Sequence, residues 1–259
     1  MNKTLSLSIV MPALDEEANI YAAISETLEA FDNFNLAGEI IVVNDGSKDK
    51  TPEIIEAICK KDRRVKMISH ATPQGMGASF WDGVDHSTKE TISMLPGDGE
   101  NDPNEIIRYL NLLNHVDMVV PFVFNPQVRP LWRSALSYVY RFIINTTFLV
   151  NFNYTNGTVL YRKSVLEGLS NRNPSFFFQT DILIRSTKRG YLFAEVPYLL
   201  GTRGSGDSKA VSYPSLIKVI KGYLKLVQDF YFKKEWKSGQ PVEKNTSTAQ
   251  RHESSKKGG

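Results

Sequence analysis

Three carboxylates stand within five residues at Asp98, Glu100 and Asp102, in the stretch 94-MLPGDGENDPNEI-106. An apolar run, 91-TISML-95, precedes them and stops at Pro96 and Gly97. A parallel strand buried on both faces reads as such a run. The C-terminal ends of such strands are where open α/β sheets bind ligands. Two chemistries fit the stretch: oxygen ligands for a hard divalent cation beside a phosphate, or an acidic turn before a helix. Asp102, directly before Pro103 and a helical pattern, suits the second role.

Three more apolar runs end in turns of similar composition: 12-PALDEE-17, 44-NDGSKDKT-51 and 70-HATPQGMGA-78. In a parallel sheet all four turns lie along one edge. Glycines let the backbone approach a ligand closely, and carboxylates hold ribose hydroxyls or a metal. Together the turns read as a nucleotide-dependent site. No G-x-G-x-x-G follows the first run, and no G-x-x-x-x-G-K-[ST] occurs, so neither a dinucleotide fingerprint nor a P-loop is present. His70 and His86 read as ordinary surface residues, and Asp49 as a turn residue before a helix.

The elements that must carry these turns alternate. Strand-like runs fall at 5–11, 39–44, 64–69, 91–95 and 116–122, with helical spacing at 16–31, 51–62, 77–87 and 103–114 between them. Thr51-Pro52-Glu53 and Asp102-Pro103 with Glu105 are good helix starts. Alternation of this kind predicts an α/β fold, Rossmann-like, with a mostly parallel sheet flanked by helices. Further on, 158-TVLYRKSVLEGL-169 and 191-YLFAEVPYLL-200 flank a helix at 179–190, which Gly190 would stop. The segment 129-RPLWRSALSYVYRFIINTTFLV-150 predicts a helix with two readings, an ordinary core helix or one with a lipid-facing side. The segment 213–236 has an apolar face and a basic face carrying Lys218, Lys221, Lys225, Lys233 and Lys234, which suits either a solvated surface helix or contact with anionic headgroups. Residues 237–259 hold Val242 as their one large apolar residue and are expected to be disordered.

Bulk properties narrow the class. A net charge of +3 over 259 residues gives no argument for nucleic-acid binding. The single cysteine, Cys59, excludes a disulfide framework and suits a reducing compartment. The opening MNKTLSLSIVMPALDEE runs into acids too early for a signal peptide, and no apolar stretch reaches the length of a membrane span.

Taken together the motifs resemble family 2 glycosyltransferases of the GT-A fold, and within them the dolichyl- or polyprenyl-phosphate sugar synthases. The resemblance is carried by 9-IVMPALDEEANI-20, 41-IVVNDGSKDKT-51, 75-GMGAS-79, 96-PGDGENDP-103, 156-NGTVLYRKSVL-166, 177-FFQTD-181, 191-YLFAEVP-197 and 203-RGSGDSK-209. It implies a glycosyltransferase domain over 1–212, with a nucleotide-binding half at 1–122 and an acceptor half at 123–212, followed by the amphipathic helix. Pro12, Ala13, Leu14, Glu16, Asp45, Gly75, Gly97 and Asp98 would line a nucleotide-sugar such as a UDP- or GDP-sugar. Asp98, with Glu100, would hold Mg²⁺ or Mn²⁺. Asp181 would be the catalytic carboxylate beside Asp98. Arg203, Ser208 and Lys209 match a phosphate-binding motif.

Three departures from the family pattern stand out. Pro96 replaces the first Asp of an Asp-x-Asp motif, Asn44 replaces the first acid of the second motif, and Asn153 or its neighbour replaces a central-loop Asp.

The implied reaction is an inverting, single-displacement sugar transfer at the cytoplasmic face of a membrane. Its acceptor stays open between a polyprenyl phosphate and a saccharide or lipid-linked saccharide in surface polysaccharide synthesis. A saccharide hydroxyl needs a base, and Asp181 is placed for that. A phosphate is already an anion and needs cations such as Arg129, Arg133 and Arg203 to position it. A nucleotide-sugar-binding protein without catalysis is the third reading.

Overall fold

The computed structural model describes residues 5–125, 131–199, 213–233 and 242–257. Its centre is a seven-stranded sheet in the order β3-β2-β1-β4-β6-β5-β7. The strands are β1 Leu7–Ala13, β2 Gly38–Asn44, β3 Val65–Ser69, β4 Thr91–Met94, β5 Met118–Val123, β6 Leu160–Arg162 and β7 Phe193–Tyr198. All pairings are parallel except those of β6, which runs antiparallel to β4 and to β5. Every residue of β1 and β2 is buried, as uninterrupted apolar runs require.

Side chains alternate across these strands. Leu7, Ile9 and Met11 join one core with Ile20, Ile24 and Phe31 of α1 (Ile20–Asn33) and Ile55 of α2 (Thr51–Cys59). Val10, Ile41 and Val43 face a second core with Phe80, Trp81 and Val84 of α3 (Met76–His86). Phe148 of α5 (Leu131–Phe148) and Ile182–Ile184 of α7 (Phe178–Lys188) complete that second layer. The expected α/β sheet flanked by helices is what forms.

Several element boundaries differ from the periodicity. The pattern at 103–114 breaks into α4, Pro103–Ile107, and a 3₁₀ turn, Leu110–Asn114. The run at 158–169 supplies only three strand residues before α6, Lys163–Glu167, takes over. The amphipathic segment forms α8, Tyr213–Gln228, and then widens into a π-helical turn, Asp229–Lys233. The expectation of a disordered tail is corrected: Ser247–Lys257 forms α9. Its anchor is polar, which an apolar search misses. Fully buried Asp117 accepts hydrogen bonds from Ser247 N at 2.5 Å, Leu192 N at 3.0 Å and the Thr248 hydroxyl.

No helix among the described residues is long and apolar enough to cross a membrane. α5 and α8 nevertheless leave large apolar side chains exposed, among them Trp132, Phe142, Leu216 and Leu224.

Candidate active site

The four turns meet along one sheet edge and are tied by backbone hydrogen bonds. Asp45 N donates to Ala13 O at 2.8 Å, His70 N to Asn44 O at 2.9 Å, and Gly97 N to Pro12 O at 3.0 Å. Pro12, Ala13, Asp45, Gly97 and Asp98 are thereby held beside one another. The loops after β1 and β2 are laced further. Asp15 N donates to Ser47 Oγ at 3.0 Å, Lys48 N to an Asp15 carboxylate oxygen at 2.9 Å, and Glu16 N to Thr51 Oγ1 at 2.8 Å. Asp49 accepts from Thr51 N at 3.0 Å, the turn role its position suggested. Leu14 and Glu16 lie in this laced segment.

Asp98 is half-buried and accepts from Glu100 N at 3.1 Å, so both carboxylates belong to one turn. Gly99 in that turn has φ 72°, and Gly97 packs so closely that an added Cβ would lie 2.6 Å from Ile20 Cδ1. Asp102 stands apart as the N-cap of α4, accepting from Asn104 N at 2.8 Å.

Asp45 is buried and shapes the next turn. Its carboxylate accepts from Gln74 N at 2.7 Å, Gly75 N at 2.9 Å and His70 Nδ1 at 2.7 Å. Gly75 has φ 104°, a conformation that strains any residue with a Cβ. His70 corrects its surface assignment: its side chain is 6% exposed, and Nε2 lies 2.8 Å from an Asp82 oxygen. A carboxylate at each ring nitrogen favours the protonated imidazole, in which both nitrogens donate. Burial alone would lower its pKa; Asp45 and Asp82 outweigh burial and raise it.

That shift fixes a pH dependence. A raised folded-state pKa means the bridge is fully present below the ordinary imidazole value and is lost as pH rises through the raised one. At pH 6 the stability deficit of His70→Gln is expected to be about 2 kcal/mol. The deficit should shrink as pH climbs above about 6.5, as read from denaturant midpoints.

The other candidate carboxylate, Asp181, is carried by α7. Asp181, in its first turn, is 2% exposed. Its oxygens accept from Arg185 Nε at 3.0 Å and from Asn171 Nδ2 at 3.1 Å. Arg185 continues to Asp229 of the π-helical turn at 2.7 Å. Burial pushes the Asp181 carboxyl up against the opposing pull of Arg185. For Asp229, burial raises the pKa, but Lys233 and Arg185 overcome it and the net shift is downward.

The loop before α7 reaches back to the nucleotide-side turns. Ala78 N donates to Pro174 O at 3.2 Å, and a Cβ on Gly77 would lie 2.7 Å from Ser175 O. Gly77→Ala is therefore expected to push this loop off α3 at a cost of about 1–3 kcal/mol, measured as a shift in thermal midpoint.

Arg129, Arg203, Ser208 and Lys209 lie outside the described residues, as does the side chain of Arg133. Asn153, at the central-loop departure, donates from N and Nδ2 to Glu195 at 2.6 and 2.8 Å. Among the described residues no group of three or more His, Cys, Asp or Glu side chains stands ready for a metal. Sequence reading missed His70, Asp82, Arg185 and Asp229. Arg185 was findable, four residues after Asp181 on one helix face. Asp229 has Lys225 and Lys233 four residues to either side, which reads as an ordinary surface pairing; its buried link to Arg185, 44 residues earlier, gave no signal.

A mostly parallel sheet with one antiparallel strand, edged by Asp- and Gly-rich turns, is the GT-A arrangement. The chain belongs to glycosyl transferase family 2, whose family model matches residues 8–170. Two dolichyl-phosphate beta-glucosyltransferases of Trichomonas vaginalis are similar in sequence. One is 33% identical over 124 residues, covering 44% of this chain and 37% of the relative. The other is 34% identical over 98 residues, covering 36% of this chain and 30% of the relative. The chain thus spans about a third of the length of the curated relatives it matches. Among solved structures, glucosyl-3-phosphoglycerate synthase from Mycobacterium tuberculosis, in complex with Mn²⁺, UDP and phosphoglyceric acid, superposes with a TM-score of 0.66 at 20% identity. The match covers 86% of this chain and 78% of that one, a likeness of fold.

Proposed function

We propose that this chain transfers a sugar from a nucleoside-diphosphate sugar to a polyprenyl phosphate at the cytoplasmic face of a membrane. The observation that carries the reading is the tied edge of four turns, which brings Asp45, Gly75, Asp98 and Glu100 to one place. The Trichomonas relatives are named for glucosyl transfer to dolichyl phosphate, so glucosyl donors head the candidates.

Asp98 and Glu100 suit Mg²⁺ or Mn²⁺. Magnesium keeps several waters and takes one or two carboxylates plus substrate phosphate oxygens, so two carboxylates in one half-buried turn are enough. When bound, such an ion offsets the negative charge that grows on the leaving diphosphate. The chain's own part is positional. The β1 and β2 turns hold the nucleoside, Asp45 fixes the Gly75 turn, and the Asp98 turn faces the diphosphate. An acceptor phosphate oxygen bonds to the anomeric carbon. The bond from that carbon to the diphosphate oxygen breaks, and its electron pair leaves with the nucleoside diphosphate.

A phosphate acceptor has no proton to lose, and this favours it over a hydroxyl. Asp181, the candidate base, already accepts hydrogen bonds from Arg185 and Asn171 and is buried. In the proposed reaction it acts by holding the acceptor half in place.

The test is a thermal-shift panel of UDP- and GDP-sugars with and without Mn²⁺, followed by transfer assays on polyprenyl phosphate and on saccharides. One donor should raise the melting temperature in a metal-dependent way, by mass action, and be consumed with polyprenyl phosphate. Transfer only to a saccharide would move the conclusion to surface-polysaccharide synthesis. Donor binding with neither transfer nor hydrolysis would leave a nucleotide-sugar-binding protein.

A further inference from the structure

α8 carries three stripes instead of the two an ordinary surface helix shows. Gly222 and Leu226 are buried, with Val219 and Tyr223 packed beside them against the second core. Leu216, Ile217, Ile220 and Leu224 are exposed, at 51%, 38%, 48% and 57%. Lys218, Lys221 and Lys225, spaced three and four apart, form the third stripe, and on the helical wheel it lies between the other two.

The lysine stripe opens on a cavity of about 340 Å³ between α8 and the loop 171–175. Arg172 and Asn173 line its other wall, and no carboxylate lines it. Arg172 is held in place, with Nη1 2.6 Å from an Asp85 oxygen and its guanidinium 4.9 Å from the centre of the Trp81 ring. Asn173 Nδ2 lies where α8 comes closest; a Cβ on Gly222 would be 2.9 Å from it. Lys225 Nζ donates to Asn171 Oδ1 at 2.5 Å, while Lys218 and Lys221 are exposed. Arg172 is paired with Asp85 and Lys225 lies 3.4 Å from Asp229, so Lys218 and Lys221 bring the uncompensated charge; with the Asn173 amide they make the opening an anion site with room for a phosphate group.

We infer that this cavity binds the phosphate of an anionic lipid headgroup while the exposed apolar stripe of α8 sits in the acyl boundary of the bilayer. Exposed leucines and isoleucines beside lysines are the arrangement that an interfacial helix needs: the apolar side chains enter the lipid and the amines stay at phosphate depth. Phe232 just beyond α8, 79% exposed, and Phe142 of α5, 62% exposed, add to the apolar surface of these two elements. Gln74, next to Gly75, also lines the cavity. The 171–175 loop packs on Gly75 and Gly77, and Asn171 links Lys225 to Asp181. This inference rests on the membrane placement in the proposed function and not on the identity of the acceptor.

The experiment is co-sedimentation of the full chain with vesicles of phosphatidylcholine alone and of phosphatidylcholine with phosphatidylglycerol, alongside thermal shifts with inorganic phosphate. Wild type should bind the anionic vesicles and largely ignore the neutral ones. Lys218→Gln/Lys221→Gln should weaken that binding by about 25-fold, near fivefold per lysine, with an unchanged melting temperature and an unchanged donor-induced shift. Ile220→Ser/Leu224→Ser should weaken it as well. Equal binding to both vesicles, or binding indifferent to the lysine pair, would overturn the inference. So would stabilisation by inorganic phosphate, lost in the lysine variant, without vesicle binding; that result would make the cavity a site for free phosphate. Failure of sugar transfer to polyprenyl phosphate would be seen in its own assay and would leave the vesicle result intact.

Discussion

Replacing Asp98 with alanine is expected to lower kcat/KM for sugar transfer by on the order of 10³-fold, with little change in folding stability. The turn explains both halves of that expectation. Asp98 is half-buried in the turn after β4 and accepts a hydrogen bond from Glu100 N. Losing that bond costs about 1 kcal/mol. Pro96 leaves Asp98 without the partner acid that the family motif places two residues earlier, so a divalent cation bound here would depend on Asp98 more heavily. The variant should also lose the Mn²⁺-dependent part of the donor-induced thermal shift. Glu100→Ala should show a smaller loss of the same kind. An Asp98→Ala protein with wild-type turnover and an intact metal response would remove the Asp98 turn from the reaction altogether.

Replacing Arg185 with methionine is the change expected to cost most in stability, about 3–5 kcal/mol. Arg185 joins two buried carboxylates, Asp181 at 3.0 Å and Asp229 at 2.7 Å, which are 2% and 1% exposed. Methionine fills much of the volume but removes the Arg185 donor from Asp181, which keeps the hydrogen bond from Asn171. Asp229 keeps Lys233 at 2.9 Å and a longer contact with Lys225. For a chain of this size the melting temperature should fall by on the order of 10 °C.

The pH dependence should change as well. In the wild type, Asp229 has a lowered pKa, so its contribution is present above the ordinary carboxylate range and is lost as pH falls through the lowered value. In the variant, burial without the guanidinium raises the carboxyl pKa values, so the deficit should shrink as pH falls. A deficit independent of pH would mean the cost is one of packing alone. Because Arg185 couples α7 to the turn after α8, the variant should also loosen α8, visible as faster amide exchange over 213–233.

The sequence by itself determined the α/β class, the strands that end in chemistry-bearing turns, and the family. These features are local. Apolar runs such as 39-EIIVVN-44 specify buried parallel strands, and turns such as 44-NDGSKDKT-51 need Gly and Asp wherever the chain reverses. The N-cap role of Asp102 was legible for the same reason, since its partner is two residues away.

What the tertiary structure decided were pairings between distant residues. His70 reads as a surface histidine until β2, β3 and α3 bring Asp45 and Asp82 to its two nitrogens. Asp181 reads as an open base until α7 packs and Arg185 and Asn171 occupy it. Within the segment expected to be disordered, α9 forms because hydroxyls and amides at its start meet a buried aspartate 130 residues earlier, as Ser247 does with Asp117. Hydrophobic periodicity detects burial of apolar surface. It does not register a buried charge and its partner, whose attraction depends on distance in space and not on spacing along the chain.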